Sequence, residues 1–250
     1  MAPNILITGA AGYIGGSLLA GFISHTNGPI IKSNISAILD LSNETAVKDA
    51  VLGNNIDIVI HAASSMDSGL ASHLIKALGQ RRKNSGVETY FIHSSVAAIF
   101  SAEGGWPHGK VKDTDSILEK EKQIGGYPNP TNILVTEQAK AQQVTSFNAV
   151  VPNVYGTGSG EWRKISVAIP ANIRSGIKHK VVFKFDRSGS PPAVHISDLV
   201  ALYTLLVQKI LQKEPIPSGE KGYYFAIAHR APWWDVLERL AEALHARGLW

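Results

Sequence analysis

The chain of 250 residues contains no cysteine. That absence excludes disulfides, thiolate metal sites and a cysteine nucleophile, and it suits a reducing compartment. No apolar run reaches membrane-spanning length. The N-terminus passes straight into a strand pattern with no secretory leader, so the expected location is cytoplasmic. No G-x-x-x-x-G-K-[ST] loop is present, which argues against nucleoside-triphosphate chemistry. No His, Asp or Glu cluster has metal-ligand spacing, so no metal is expected. Repeats and low-complexity segments are also absent. The net charge of +4 is spread along the chain. Its one tight basic cluster, Arg81-Arg82-Lys83, reads as the end of a surface helix rather than a nucleic-acid site. Neither a nucleic-acid nor a membrane partner is expected.

An apolar share of 44% is enough for a full core, and the length fits one large domain or a domain with a lobe grown onto it. The organising stretch is Asn4 to Gly15. Ile5 to Ile7 reads as a short buried parallel strand. Gly9, Gly12 and Gly15 follow at intervals of three, and Ile14, Leu18, Leu19, Phe22 and Ile23 then repeat at helical spacing. Strand, glycine turn and helix together suit a dinucleotide pyrophosphate. Gly9 allows the tight turn, Gly12 removes a Cβ beside the phosphates, and Gly15 lets the helix pack closely. The free N–H groups of Ala11, Tyr13 and Ile14 at the helix start face the anion.

Further along, strands are expected at Ile35 to Leu39, Ile56 to Ala62, Val87 to His93, Phe147 to Val151, Lys180 to Phe185 and Tyr223 to Ala228. Helices are expected from Ser42 or Asn43 to Leu52, Met66 to Asn84, Thr131 to Gln143, Ile165 to Ile177 (with Pro170 as a break or kink), Ser197 or Asp198 to Leu211, and Trp233 to Ala246. Ser101 to Pro130 reads as a long functional loop with a short helix near Ile117 to Gln123. The alternation predicts an α/β fold, a doubly wound parallel sheet. Residues 1–152 form its dinucleotide-binding region, and residues 153–250 form mainly a small C-terminal substrate lobe in the same compact unit.

Several stretches together resemble the extended short-chain dehydrogenase/reductase superfamily, the NAD-dependent epimerase/dehydratase type. They are Thr8-Gly9 to Gly15, Asp57 to Ala63, Val151 to Gly156, Val194 to Val200, and Gly222 to Phe225 followed by Trp234 to Leu244. With the Trp233-Trp234 pair, the chain looks most similar to uncharacterised fungal epimerase-like proteins. The resemblance implies an NAD or NADP cofactor, the choice unresolved, running along Gly9 to Gly15. Asp40, Leu41, His61, Ala62, Ala63, Ser94, Pro152, Asn153 and Val154 would lie near it. It implies Tyr155 and Val96 beside a small-molecule substrate, and a homodimer is possible by analogy.

The family's Tyr-x-x-x-Lys pair is expected on the helix after the long loop. The best match to its lysine is Lys140, which would hold the nicotinamide ribose, but the residue four before it is Thr136. A threonine hydroxyl cannot replace a phenol as proton donor near neutral pH. Tyr127 lies before the helix at a different spacing. Ser94 and Ser95 are candidates for the assisting serine, while the third position of that turn falls on Val96. The chain also runs from its second strand directly into Asp40-Leu41-Ser42, so about one unit of the sheet is expected to be missing. Asp40 is therefore read either as the NAD ribose acceptor or as a later Asp near the adenine. His195 with Asp198 reads as a lobe anchor and helix cap, and Trp233 and Trp234 as packing residues. Glu103, His108 and Lys110 are substrate-facing candidates in the loop. The leading expectation is an NAD(P)-binding oxidoreductase or epimerase-like enzyme acting on a small organic substrate. A non-catalytic NAD(P) sensor and a non-redox isomerase or cyclase are the alternatives.

Overall fold

A computed structural model describes residues 3–24, 39–126 and 128–249. The apolar run of β1 (Asn4–Thr8) leads through the glycine turn into α1 (Tyr13–Ser24). α2 (Glu44–Gly53) is capped by Asn43, whose Oδ1 accepts from Ala46 N at 3.0 Å. β2 (Ile56–His61) is buried throughout. α3 (Ser68–Ser85) starts at its Asp67 cap rather than at Met66, ends on Gly86 at φ +71°, and carries Arg82 and Lys83 in its last turn. β3 (Tyr90–Val96) begins three residues later than the apolar pattern suggests, because Val87 and Glu88 are exposed, and it runs on through Ser94 and Ser95.

The long segment after β3 contains α4 (Ile117–Gln123), followed by α5 (Thr131–Ala141) and β4 (Thr145–Val151). Phe100, Trp106, Ile117 and Leu118 pack with Val150 and Tyr223, giving this segment a small core of its own. Next come β5 (Asn153–Tyr155), α6 (Ala168–His179), β6 (Pro192–His195) and α7 (Ile196–Leu211). The chain closes with β7 (Tyr223–Phe225), β8 (His229–Arg230) and α8 (Trp233–Ala246).

The main sheet has the order β1-β2-β3-β4-β7, with every neighbouring pair parallel. α1 and α7 cover one face, where Leu18, Phe22, Leu199 and Leu206 meet Ile58, Ile60, Ile92 and Phe147. α2, α3 and α5 cover the other, where Val51, Leu74, Leu78 and Val135 meet Val59 and Phe91. A second sheet, β5-β6-β8, forms the lobe with α6 and α8. β7, though late in the chain, belongs to the main sheet, and α7 packs against that sheet.

Two expectations change, and a third falls mostly outside the described residues. Residues 35–38 of the second predicted strand lie outside the described residues, and Leu39 is irregular; among the described residues β1 is an edge of the sheet. Lys180 to Phe185 joins no ladder. Instead the Phe185 carbonyl accepts from Trp234 Nε1 at 3.1 Å, and the Lys184 ammonium lies 5.2 Å from the Trp234 ring centre. Pro170 neither breaks nor kinks α6: it is the third residue, in a first turn whose N–H groups lack intrahelical partners anyway.

Candidate functional site

The glycine turn sits at the carboxyl end of β1. Gly9 has φ +72°, and a Cβ there would come within 2.8 Å of the Ala62 carbonyl oxygen and 2.9 Å of Ala63 Cα. A Cβ on Gly15 would lie 2.3 Å from the Gly9 oxygen. Glycine is therefore required for the turn to press against Ala62-Ala63 and for α1 to start where it does. Gly12 N donates to Gly9 O at 2.8 Å, and the first N–H bonded down the helix is Gly16's, to Gly12 O at 2.9 Å. The N–H groups of Tyr13, Ile14 and Gly15 thus precede the helical ladder, with no acidic side chain in the first turn. This cradle fits a dinucleotide pyrophosphate. The segment after β5 closes over α1: the Tyr13 hydroxyl donates to Gly156 O at 2.9 Å.

At the end of β2, His61 is buried with Nδ1 2.8 Å from the Thr8 hydroxyl. Burial holds its pKa down at about 4, against a smaller opposite pull from Asp67. Its ring stacks against Phe91 and His93, and it is Ala62 and Ala63, not His61, that meet the glycine turn. Strand alternation separates Ser94 from Ser95. Ser94 points to the α7 face, where its hydroxyl is 2.7 Å from that of Tyr203. Ser95 shares the α5 face with Phe91 and His93, and its buried Oγ has no hydrogen-bond partner among the described residues. Val96 ends the strand, half-buried.

Lys140 requires a correction. α5 runs back from the carboxyl edge of the sheet, and Lys140 is in its last turn, five residues before Thr145 opens β4. Nine residues of helix, about 13 Å, separate it from the helix start. Its ammonium pairs with Glu220 at 2.9 Å on the exposed amino-edge surface, so the fold does not bring it to the glycine turn. Thr136 is also internal: its buried hydroxyl donates to Asn132 O at 2.9 Å and accepts from Asn148 Nδ2 at 3.1 Å. The helix start is instead Thr131, fully buried, 2.9 Å from the Ser68 hydroxyl. Thr131 stands four residues after Tyr127. That spacing was visible in the sequence, but only the helix boundary gives it weight. Tyr127 itself lies outside the described residues.

Asp40 is exposed, its Oδ1 accepting from Ser42 N at 2.9 Å and from the Ser42 hydroxyl at 2.7 Å. The Ser42 hydroxyl and amide hold its carboxyl below the usual range. Leu41 packs into the core beneath α2 and α3, and its carbonyl lies 3.0 Å from His73 Nδ1. His195 caps α7, with Nδ1 3.3 Å from Ser197 N, while the Ser197 hydroxyl donates to Asp198 at 3.2 Å. In the long segment His108 packs on Trp106 at 4.9 Å, whereas Glu103 and Lys110 are exposed.

Pro152, Asn153, Val154 and Tyr155 leave the end of β4, and the last three form one wall of a cavity of about 280 Å³ in the lobe. The Tyr155 ring is held edge-on between His195 at 5.3 Å and His229 at 5.5 Å. Ile169, His229 and Val236 also line the cavity and carry no sequence signal; they meet only through the tertiary fold. Among the described residues there is no group of His, Cys, Asp or Glu able to hold a metal ion, and no helix long and apolar enough to cross a membrane.

Solved structures share this fold. UDP-glucose 4-epimerase from Thermus thermophilus, in complex with NAD, superimposes with a TM-score of 0.62 at 16% identity, over 96% of this chain and 83% of that one. The Thermotoga maritima UDP-glucose 4-epimerase with UDP-glucose gives 0.63 at 17% identity, over 96% and 82%. A GDP-D-glycero-L-gluco-heptose synthase from Campylobacter jejuni, in the presence of NADPH, gives 0.63 at 12% identity, over 98% and 86%. No curated protein sequence matches the chain. Residues 5–217 match the sequence profile of the NAD dependent epimerase/dehydratase family, and with the glycine cradle in place the chain belongs to that family.

Proposed function

We propose that the protein is an NAD(P)-dependent oxidoreductase or epimerase-like enzyme acting on a small organic substrate. The observation that carries this reading is the cradle of Gly9, Gly12 and Gly15 against Ala62-Ala63, opening onto the free N–H groups of α1. When bound, the nicotinamide accepts or returns a hydride. The backbone of Tyr13, Ile14 and Gly15 would bind the pyrophosphate and orient the dinucleotide. Re-registered onto the start of α5, the family's pair becomes Tyr127 and Thr131. Tyr127 would then hold or move the proton at the substrate oxygen. Thr131 has no charge with which to acidify a neighbouring phenol, so turnover should be slow at neutral pH and rise with alkalinity.

Calorimetric titration with NAD⁺, NADH, NADP⁺ and NADPH tests the first half; micromolar binding of one pair supports it, and silence from all four rejects it. A change at the reduced-nicotinamide absorbance band, lost in Tyr127→Phe, supports the second half. The missing lysine favours one other reading, a dinucleotide sensor that binds cofactor and turns over nothing. Binding without turnover in any alcohol or carbonyl screen, unchanged in Tyr127→Phe, would establish that reading instead.

A further inference from the structure

The lobe cavity draws its walls from several elements. β5 supplies Val154 and Tyr155, the first turn of α6 supplies Ile169, β6 supplies Ala193, and α8 supplies Trp233 and Val236. Eight of the eleven lining residues are apolar, and none is Lys, Arg, Asp or Glu. Polar side chains come only from Asn153, Tyr155 and His229, on the two strands that flank β6. Arg230 stands between two lining residues but is not one of them: its guanidinium donates to Ser190 O at 3.0 Å. A helix start can attract an anion, but in the first turn of α6 Pro170 has removed one of the N–H groups.

A diphosphate brought against such walls would lose its hydration and gain no cation, which is costly. An apolar ring or chain would gain from each square ångström buried there, about 25 cal/mol. At about 280 Å³ the cavity is near the small end of ligand pockets, which start at roughly 300 Å³.

We propose that this cavity binds a small, uncharged and mostly apolar alcohol or carbonyl compound, such as a cyclic or aromatic ketone, and not a nucleoside-diphosphate sugar. The apolar body would lie between Ile169, Trp233 and Val236, with its oxygen toward Asn153, Tyr155 and His229. Calling the compound a substrate rests on the function proposed above; its binding does not.

The test is saturation-transfer NMR and titration of the full chain, without cofactor, using acetophenone and cyclohexanone against UDP-glucose and UMP. Ala231→Phe and Val236→Phe fill the cavity from two half-buried wall positions, and circular dichroism checks that each still folds. The expected result is ketone binding that weakens about tenfold or more in both variants, with no binding of either nucleotide. UDP-glucose binding that the same variants abolish would overturn the proposal. So would absent ketone binding, or ketone binding indifferent to both substitutions in folded protein. Gly12→Val separates the two claims: it should lose dinucleotide binding and keep acetophenone binding. A parent protein that binds acetophenone but no dinucleotide overturns the redox function alone; one that binds dinucleotide but no ketone overturns this cavity's assignment alone.

Discussion

Glu121 carries a buried carboxyl group whose oxygens accept from Asn132 Nδ2 at 2.7 Å and from the Tyr223 hydroxyl at 2.5 Å. Burial raises its pKa to about 7 from an ordinary 4.5, and those two hydrogen bonds only partly oppose the rise. The folded chain therefore keeps a proton that the unfolded chain has released between those values. Its contribution is fully present below about pH 4.5 and is lost as pH rises through about 7, at a cost of roughly 3 kcal/mol. Glu121→Gln should gain stability relative to the parent between pH 5 and pH 8 in urea denaturation; parallel pH profiles would contradict this. Lys140, exposed and paired with Glu220, gives the opposite kind of prediction. Exposed pairs contribute little, so Lys140→Ala should leave dinucleotide affinity and melting temperature essentially unchanged. A large loss of affinity in calorimetry would return Lys140 to the site.

At the scale of the element, the glycine turn and α1 act as one unit. A Cβ on Gly12 meets only Gly9 O, at 3.0 Å, whereas Gly9 and Gly15 are enclosed by backbone. Gly12→Val should therefore fold while placing its branched side chain where the pyrophosphate must lie. The expected outcome is loss of dinucleotide binding by calorimetry with a cooperative melt retained. Retained binding would remove the turn from the cofactor site. α5 shows why an element's direction matters as much as its existence. Its apolar face and length follow from the residue pattern, but which end meets the ligand follows from the parallel connection of β3 to β4.

Across the whole molecule, one row of residues in register spans all five strands of the main sheet: Thr8, His61, His93, Asn148 and Tyr223. All five are buried, on the face covered by α3 and α5. The His61 and His93 rings stack at 6.0 Å, and among the described residues neither ring nitrogen of His93 makes a well-formed hydrogen bond. Burial, and then the His61 ring, push the pKa of His93 down to about 3, with the Ser65 backbone opposing. A depressed histidine contributes stability above its ordinary 6.5 that is lost as pH falls toward the folded value. Acid should therefore unfold the protein by charging this row. His93→Leu should shift the acid midpoint in circular dichroism to lower pH; an unmoved midpoint would place the acid sensitivity elsewhere.

Local chemistry alone was enough to read the glycine cradle, the alternation of strands and helices, the short helix Ile117–Gln123 and the bounds of the last helix, Trp233–Ala246. Each depends on spacing within a few residues, through turn geometry, caps or helical period. Other features depended on distant contacts. Ser94 and Ser95 parted to opposite faces because β3 runs on through both of them. Lys140 was carried to the amino edge because α5 runs antiparallel to its sheet. Lys180 to Phe185 found Trp234 instead of a neighbouring strand. The cavity walls come from several separate elements, and the polar row from five strands. Residues so far apart in the chain become neighbours only through register and packing, so no local pattern could announce them.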